Sequence, residues 1–184
     1  MNNFFSQPLL KIPLIAGAIT GSLVILYFLA LYGFGIDSVL YVRSLRPFDF
    51  GFYLIAMIAT TWYYRKYAGR GMLHLWEGLT ICYVINTAGA LLTGWFIYLF
   101  VTQIDPGVFT RYIADLREFQ LGDRANFVKQ FSEEAFLKQV AKTDATQPSD
   151  LIWDELLKKT LMTVFPALII SLIFRKQDYS VINP

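Results

Sequence analysis

One uncharged run of 27 residues, Gly78 to Ile104 (GLTICYVINTAGALLTGWFIYLFVTQI), constrains this 184-residue chain more than any other part of it. As an α-helix it would extend roughly 40 Å, while the apolar core of a bilayer is about 30 Å thick. The run therefore predicts a membrane-spanning helix with some tilt. Composition agrees: 55% of residues are hydrophobic, 16% are charged and mean hydropathy is +0.45, with the apolar residues gathered in blocks. A net charge of +2 with no long basic run argues against nucleic acid as a partner.

Three further spans follow from run length and flanks. Ile12 to Ile36 holds 25 uncharged residues and predicts a first crossing. The small residues Ala16-Gly17-Ala18 superficially fit a signal cleavage site. They sit too early in the apolar run for that, so the helix is read as uncleaved. Phe50 to Tyr64 is only 15 residues, but aromatic residues flank it at both ends (Phe50, Phe52 and Tyr53; Trp62, Tyr63, Tyr64 and Tyr67). Arg65 and Lys66 can extend their charges into the headgroups, so a span over 49–66 is predicted. The last uncharged run, Thr160 to Phe174, is also 15 residues. The lead-in LIWDELLKK, with Lys158 and Lys159 read as snorkelling, lengthens it to a span over 155–175 that contains Pro166.

Between the third and fourth spans, taken as 77–104 and 155–175, the chemistry changes. Residues 105–159 carry 8 basic and 10 acidic side chains. Asp105-Pro106 reads as a helix cap followed by proline at the first helical position. Phe109, Ile113 and Leu116 recur at helical spacing, as do Phe127, Phe131, Ala135, Leu137 and Val140, with Gly122-Asp123 between the two runs. The reading is an all-α membrane protein of four transmembrane helices, with an extramembrane amphipathic helical hairpin at 105–150 and a loop at Thr143 to Ser149. Basic residues set the orientation. Lys11, Arg65, Lys66, Arg70, Arg175 and Lys176 on one side outnumber Arg43 and Arg46 on the other, so both termini are expected in the cytoplasm and the insert in the periplasm.

Polar residues inside the spans are the candidate site residues. Asn86, Thr87 and Thr93 lie within the third span, and a carboxamide at membrane depth must pair across helices or face water. Asn86, Ala90 and Gly94 fall four apart on one face, as Gly17 and Gly21 do in the first span, a spacing that suits close helix contact. His74, Glu77 and Asp49 are read as interfacial residues, with Glu77 favoured at a helix N-terminus and Asp49 as a helix cap. Cys82, the one cysteine, reads as a small apolar residue. With one histidine and one cysteine the sequence offers no metal-ligand set, and no Ser/His/Asp arrangement or phosphate-cradling loop appears. No cofactor is implied.

The segments IPLIAGAITGSLVI, WYYRKY, WEGLTICYVINTAGALLTGWFIYLF, DPGVFTRYI and LMTVFPALIISLIFRK, in this order around the charged insert, carry a resemblance. The chain resembles an uncharacterised bacterial integral-membrane family catalogued as domain of unknown function 4199. The resemblance implies a four-helix inner-membrane protein of Gram-negative bacteria with no assigned activity, and it carries over no functional residues. Genes of that family often lie near one for a membrane-associated glycosyltransferase, which implies an accessory subunit. Two functions are expected on these grounds: a non-enzymatic scaffold for another envelope protein, or a small transporter or lipid-handling protein with a cavity near Asn86. An enzyme using His74 and Glu77 has the least support.

Overall fold

The computed structural model describes residues 7–35, 40 and 46–176, and these are helical apart from short turns and one isolated backbone pair between Leu73 and Lys176. Helix α1 runs Pro8–Gly33, with proline at its first position where the missing N–H would have had no partner. Ile36 and Arg43, which entered the predicted first span and outer loop, lie outside the described residues. Helix α2 is Phe50–Tyr63, preceded by a 3₁₀ turn at Arg46–Asp49 and followed by a π-helical turn at Tyr64–Ala68. Helix α3 is Leu75–Leu99 and continues through a second π turn to Ile104. Helices α4 (Pro106–Gly122), α5 (Arg124–Gln130) and α6 (Glu133–Asp144) form the insert, and α7 runs Asp150–Phe174.

Three of these elements are long and apolar enough to cross a membrane: Pro8–Gly33, Leu75–Ile104 and Asp150–Phe174. Helix α2 has 14 residues, about 21 Å of α-helix, and falls short of that length by itself.

Helix α3 is the spine of the bundle, and small residues explain why. A Cβ at Gly17 of α1 would lie 2.8 Å from the Ala88 Cβ and 2.9 Å from the Ile85 carbonyl oxygen. One at Gly21 would lie 3.0 Å from the Gly89 carbonyl oxygen. Only glycine lets the two backbones approach this closely, and close backbone packing replaces the hydrophobic drive that lipid does not supply. Successive contacts advance in the same direction along α1 and α3, so these helices are parallel. On another face of α3, Gly94 meets Ile152, Asn86 meets Thr160 and Thr163, and Gly78 meets Ser171, so α7 runs antiparallel. Helix α2 packs against α1, α3 and α7, and the Tyr53 ring rests on Gly89.

Two apolar cores divide the length of the bundle. One joins Val24, Phe50, Tyr53, Met57, Ile81, Cys82, Ile85 and Ala167. The other joins Phe28, Leu31, Ile97 and Phe100 to Val108 and Tyr112 of α4, which docks the insert onto one end of the bundle. Within the insert, Arg117 reaches Asp144 at 3.0 Å, Gln120 reaches Thr143 at 2.8 Å and Arg124 reaches Glu133 at 2.5 Å, so α6 runs back along the end of α4. The second helical run of the insert is broken at Phe131–Ser132, where the Ser132 hydroxyl accepts the Ala135 N–H at 3.1 Å and starts α6 as an N-cap. Helix α6 continues through Thr143 to Asp144, two residues into the segment expected to be a loop.

Candidate functional site

Helix α7 buries a row of residues four apart, Leu151, Glu155, Lys159, Thr163, Ala167 and Ser171, with Ile170 buried beside it. That spacing is one face of an α-helix with a slow drift, and here it forms a seam against α2 and α3. Four of its six members are polar or charged. The matching seam of α2 is Asp49, Tyr53, Met57 and Thr61, all nearly or fully buried.

At the middle of the seam Asn86 is fully buried, with both ends of its carboxamide in use. Its Nδ2 donates to the Thr160 Oγ1 at 3.2 Å, and its Oδ1 accepts from the Thr163 Oγ1 at 2.9 Å. A polar group removed from water must find such partners or cost the fold several kcal/mol, on the order of 2–7. Asn86 therefore ties α3 to α7. Toward the end of α2, Thr61 Oγ1 and Cys82 Sγ lie 4.0 Å apart, a separate contact in which either atom could donate.

One turn along α7 lies a cluster of charges that the sequence reading placed elsewhere. The Lys159 ammonium pairs with Asp49 of the turn before α2, approaches Glu155 Oε1 at 3.6 Å and sits 4.5 Å above the centre of the Tyr53 ring. Lys159 is 5% exposed, Asp49 3% and Glu155 6%. Two expectations are corrected here. Lys159 does not snorkel, although its neighbour Lys158 does, with an exposed ammonium that reaches Asp154 at 3.4 Å. One residue is about 100° of helix rotation, enough to carry position 158 out to the surface and turn position 159 into the seam. Asp49 does not cap α2. Its backbone is already helical (φ −58°, ψ −27°), whereas a capping residue needs an extended backbone to fold its side chain onto the next turn. Its carboxylate instead turns inward to the ammonium.

The remaining candidates separate from this seam. Thr93 is buried but bonds back to the Gly89 carbonyl of its own helix at 2.9 Å. Thr87 faces outward into a shallow apolar groove with Leu14, Val84 and Leu91. Exposed His74 precedes α3, and the Glu77 carboxylate accepts its backbone N–H at 2.7 Å, leaving the imidazole out of any cluster. Among the described residues no three His, Cys, Asp or Glu side chains converge as metal ligands would.

A second polar point joins α1 to the insert. Asp105 caps α4 by accepting the Gly107 N–H at 2.9 Å, and it also accepts from the Tyr32 hydroxyl at 3.1 Å and from Arg111 at 3.3 Å. Partial burial pushes the Asp105 carboxyl upward, but these donors outweigh it and hold the group below the usual carboxylate range.

Taken together, a helical bundle with three membrane-length apolar helices, zipped by small residues and a buried polar seam, defines a polytopic membrane protein of compact design. The chain belongs to the family described as "Protein of unknown function (DUF4199)", whose sequence model matches residues 16–176. Neither a curated protein nor a solved structure matches the chain.

Proposed function

We propose that this protein is a non-enzymatic, four-span accessory subunit of the bacterial inner membrane, which holds another envelope protein through its insert. In this reading α2 is the fourth crossing. The turns at 46–49 and 64–68 extend it, Phe48 and Phe50 flank one end, Trp62, Tyr63 and Tyr67 flank the other, and α1, α3 and α7 surround its short middle. Both termini are cytoplasmic and α4–α6 form a periplasmic hairpin. A reporter fused near Gly122 that reads as cytoplasmic would overturn this orientation.

One observation carries the accessory role. Asn86, Lys159 and Asp49 are absorbed in helix contacts, while the insert presents Phe131, at the end of α5, and Leu137 of α6, 68% and 59% exposed, among charged neighbours. Apolar residues set in a charged surface are what a partner's surface would cover. A membrane-associated glycosyltransferase is the partner class that the family resemblance suggests. Co-purification in mild detergent tests the role: the wild-type chain brings down a membrane partner, and Phe131→Ser/Leu137→Ser releases it. Recovery of the wild-type chain only as a lone monomer counts against the proposal.

A second reading, a small transporter or lipid-handling protein, is favoured by the Asp49–Lys159–Glu155 cluster, because ionisable groups inside spans commonly mark a pathway. Asn86→Leu separates the readings. Retained folding with lost flux supports transport, whereas lost stability supports a structural bond.

A further inference from the structure

The end of the bundle opposite the insert carries a cluster of cations that neither reading uses. Arg65, Lys66 and Lys176 line a pocket with Trp62 and Gly71, and Arg70 stands beside it. Three backbone features build this pocket. The π turn at Tyr64–Ala68 widens the helix end, closed by the Gly69 N–H donating to the Tyr64 carbonyl at 2.8 Å. Arg70 and Gly71 both adopt positive φ (51° and 86°), folding the chain back so that Arg65 Nε donates to the Gly71 carbonyl at 3.3 Å. Two backbone bonds of 3.0 Å between Leu73 and Lys176 then fasten the end of α7 alongside. π turns and left-handed non-glycine residues both concentrate at functional sites.

Among the described residues no carboxylate forms an ion pair with Arg65, Lys66, Arg70 or Lys176. The nearby Glu77 carboxylate is taken by the His74 N–H and the Tyr64 hydroxyl. Lys66 is held over the rings of Trp62 and Tyr67, 4.9 and 5.2 Å from their centres, which fixes its ammonium at the rim. Trp62, Tyr63, Tyr67 and Trp76 are exposed at this same level, the belt by which helices meet headgroups. A basic pocket between helices at headgroup depth, walled by an indole, fits a phosphate that carries acyl chains.

We infer that this pocket binds the phosphate headgroup of an anionic phospholipid, with the acyl chains lying against α2 and α7 below Trp62. The inference rests on the membrane placement proposed above. Trp62 reports on it in full-length protein carrying Trp76→Phe, Trp95→Phe and Trp153→Phe, reconstituted in phosphatidylcholine vesicles with brominated phosphatidylglycerol or brominated phosphatidylcholine as quencher. Brominated phosphatidylglycerol is expected to quench several-fold more strongly. Lys66→Gln/Lys176→Gln, which leaves the Arg65–Gly71 bond and the Leu73–Lys176 backbone pair in place, should weaken that preference by about fivefold for each cation removed. Millimolar glycerol phosphate should leave the quenching unchanged. Equal quenching by the two lipids, or a preference that survives the double substitution, overturns the inference. Displacement by glycerol phosphate overturns the lipid as source and assigns the pocket to a soluble anion. Absence of quenching by either lipid is the distinct result that sinks the membrane placement itself.

Discussion

The seam of α7 and the α4–α6 insert are built with the same kinds of ion pair in opposite surroundings. In the seam, Lys159 and Asp49 meet where each side chain keeps only about a twentieth of its surface in contact with solvent. In the insert, Arg117–Asp144, Arg124–Glu133 and Lys138–Glu134 are similarly close but roughly half exposed or more. Water competes for every charge in the second set and scarcely for those in the first. The comparison teaches that proximity alone does not rank these pairs. A buried pair is costly to half-remove because the survivor keeps neither solvent nor the opposite charge, while an exposed pair contributes about 0–1 kcal/mol.

The largest effect is expected at Lys159. Lys159→Met should destabilise the bundle by about 3–5 kcal/mol in a reversible unfolding measurement in mild detergent, because Asp49 and Glu155 lose the ammonium between them. Adding Asp49→Leu should recover part of that loss, since apolar replacements of a whole buried pair are often tolerated. A single-substitution cost below about 1 kcal/mol would erase the distinction between seam and insert. Next comes Gly17→Leu, which must push α1 off Ile85 and Ala88 and should cost about 1–3 kcal/mol by overpacking. A double-mutant cycle on Arg117 and Asp144 should then give a coupling under about 1 kcal/mol that fades in high salt.

The smallest effect concerns acid. Asp105 titrates below its unfolded value, so its contribution is fully present above the ordinary carboxylate range and is lost as pH falls through the lower, folded value. Protection of the Gly107 amide, taken as its exchange relative to the intrinsic rate at each pH, should therefore fall at strongly acidic pH in the wild type and lose that step in Asp105→Asn. An unchanged acid step in the variant would remove Asp105 as its cause.

Much of this arrangement is legible in the residues. Run length alone predicts α1 and α3, and the four-residue spacing of Asn86, Ala90 and Gly94 marks the face that meets α7. The charged cluster was hidden by a locally sufficient explanation. Lys158 and Lys159 both flank an apolar run, and a long flexible stem lets either one reach water. What distinguishes them is the series Leu151, Glu155, Lys159, Thr163, Ala167, Ser171, a four-step row that mixes apolar and polar residues and so escapes any search for apolar periodicity. Asp49 was hidden in the same way, since an acid ahead of a helix suits a cap, and its partner lies 110 residues away. In the insert, Ser132 followed by Glu133 and Glu134 was a readable start signal for α6, but the Phe127–Phe131–Ala135 spacing appeared to run straight through it.

The π turn at the end of α3 has a consequence for how this chain can change in length. Its closing bond runs from the Asp105 N–H to the Phe100 carbonyl, one residue wider than an α turn. It thus behaves as an accommodated insertion. Removing any single residue between Val101 and Ile104 would let the turn relax to an ordinary α-helix. Four residues of α-helix turn through nearly the same angle as the five of the π turn, so everything downstream would keep close to its present direction, with Asp105 still toward Tyr32 and α4 still on the second core. The joint is therefore a place where the chain can lose one residue while the insert stays aimed at the bundle end and the three membrane-length helices keep their register.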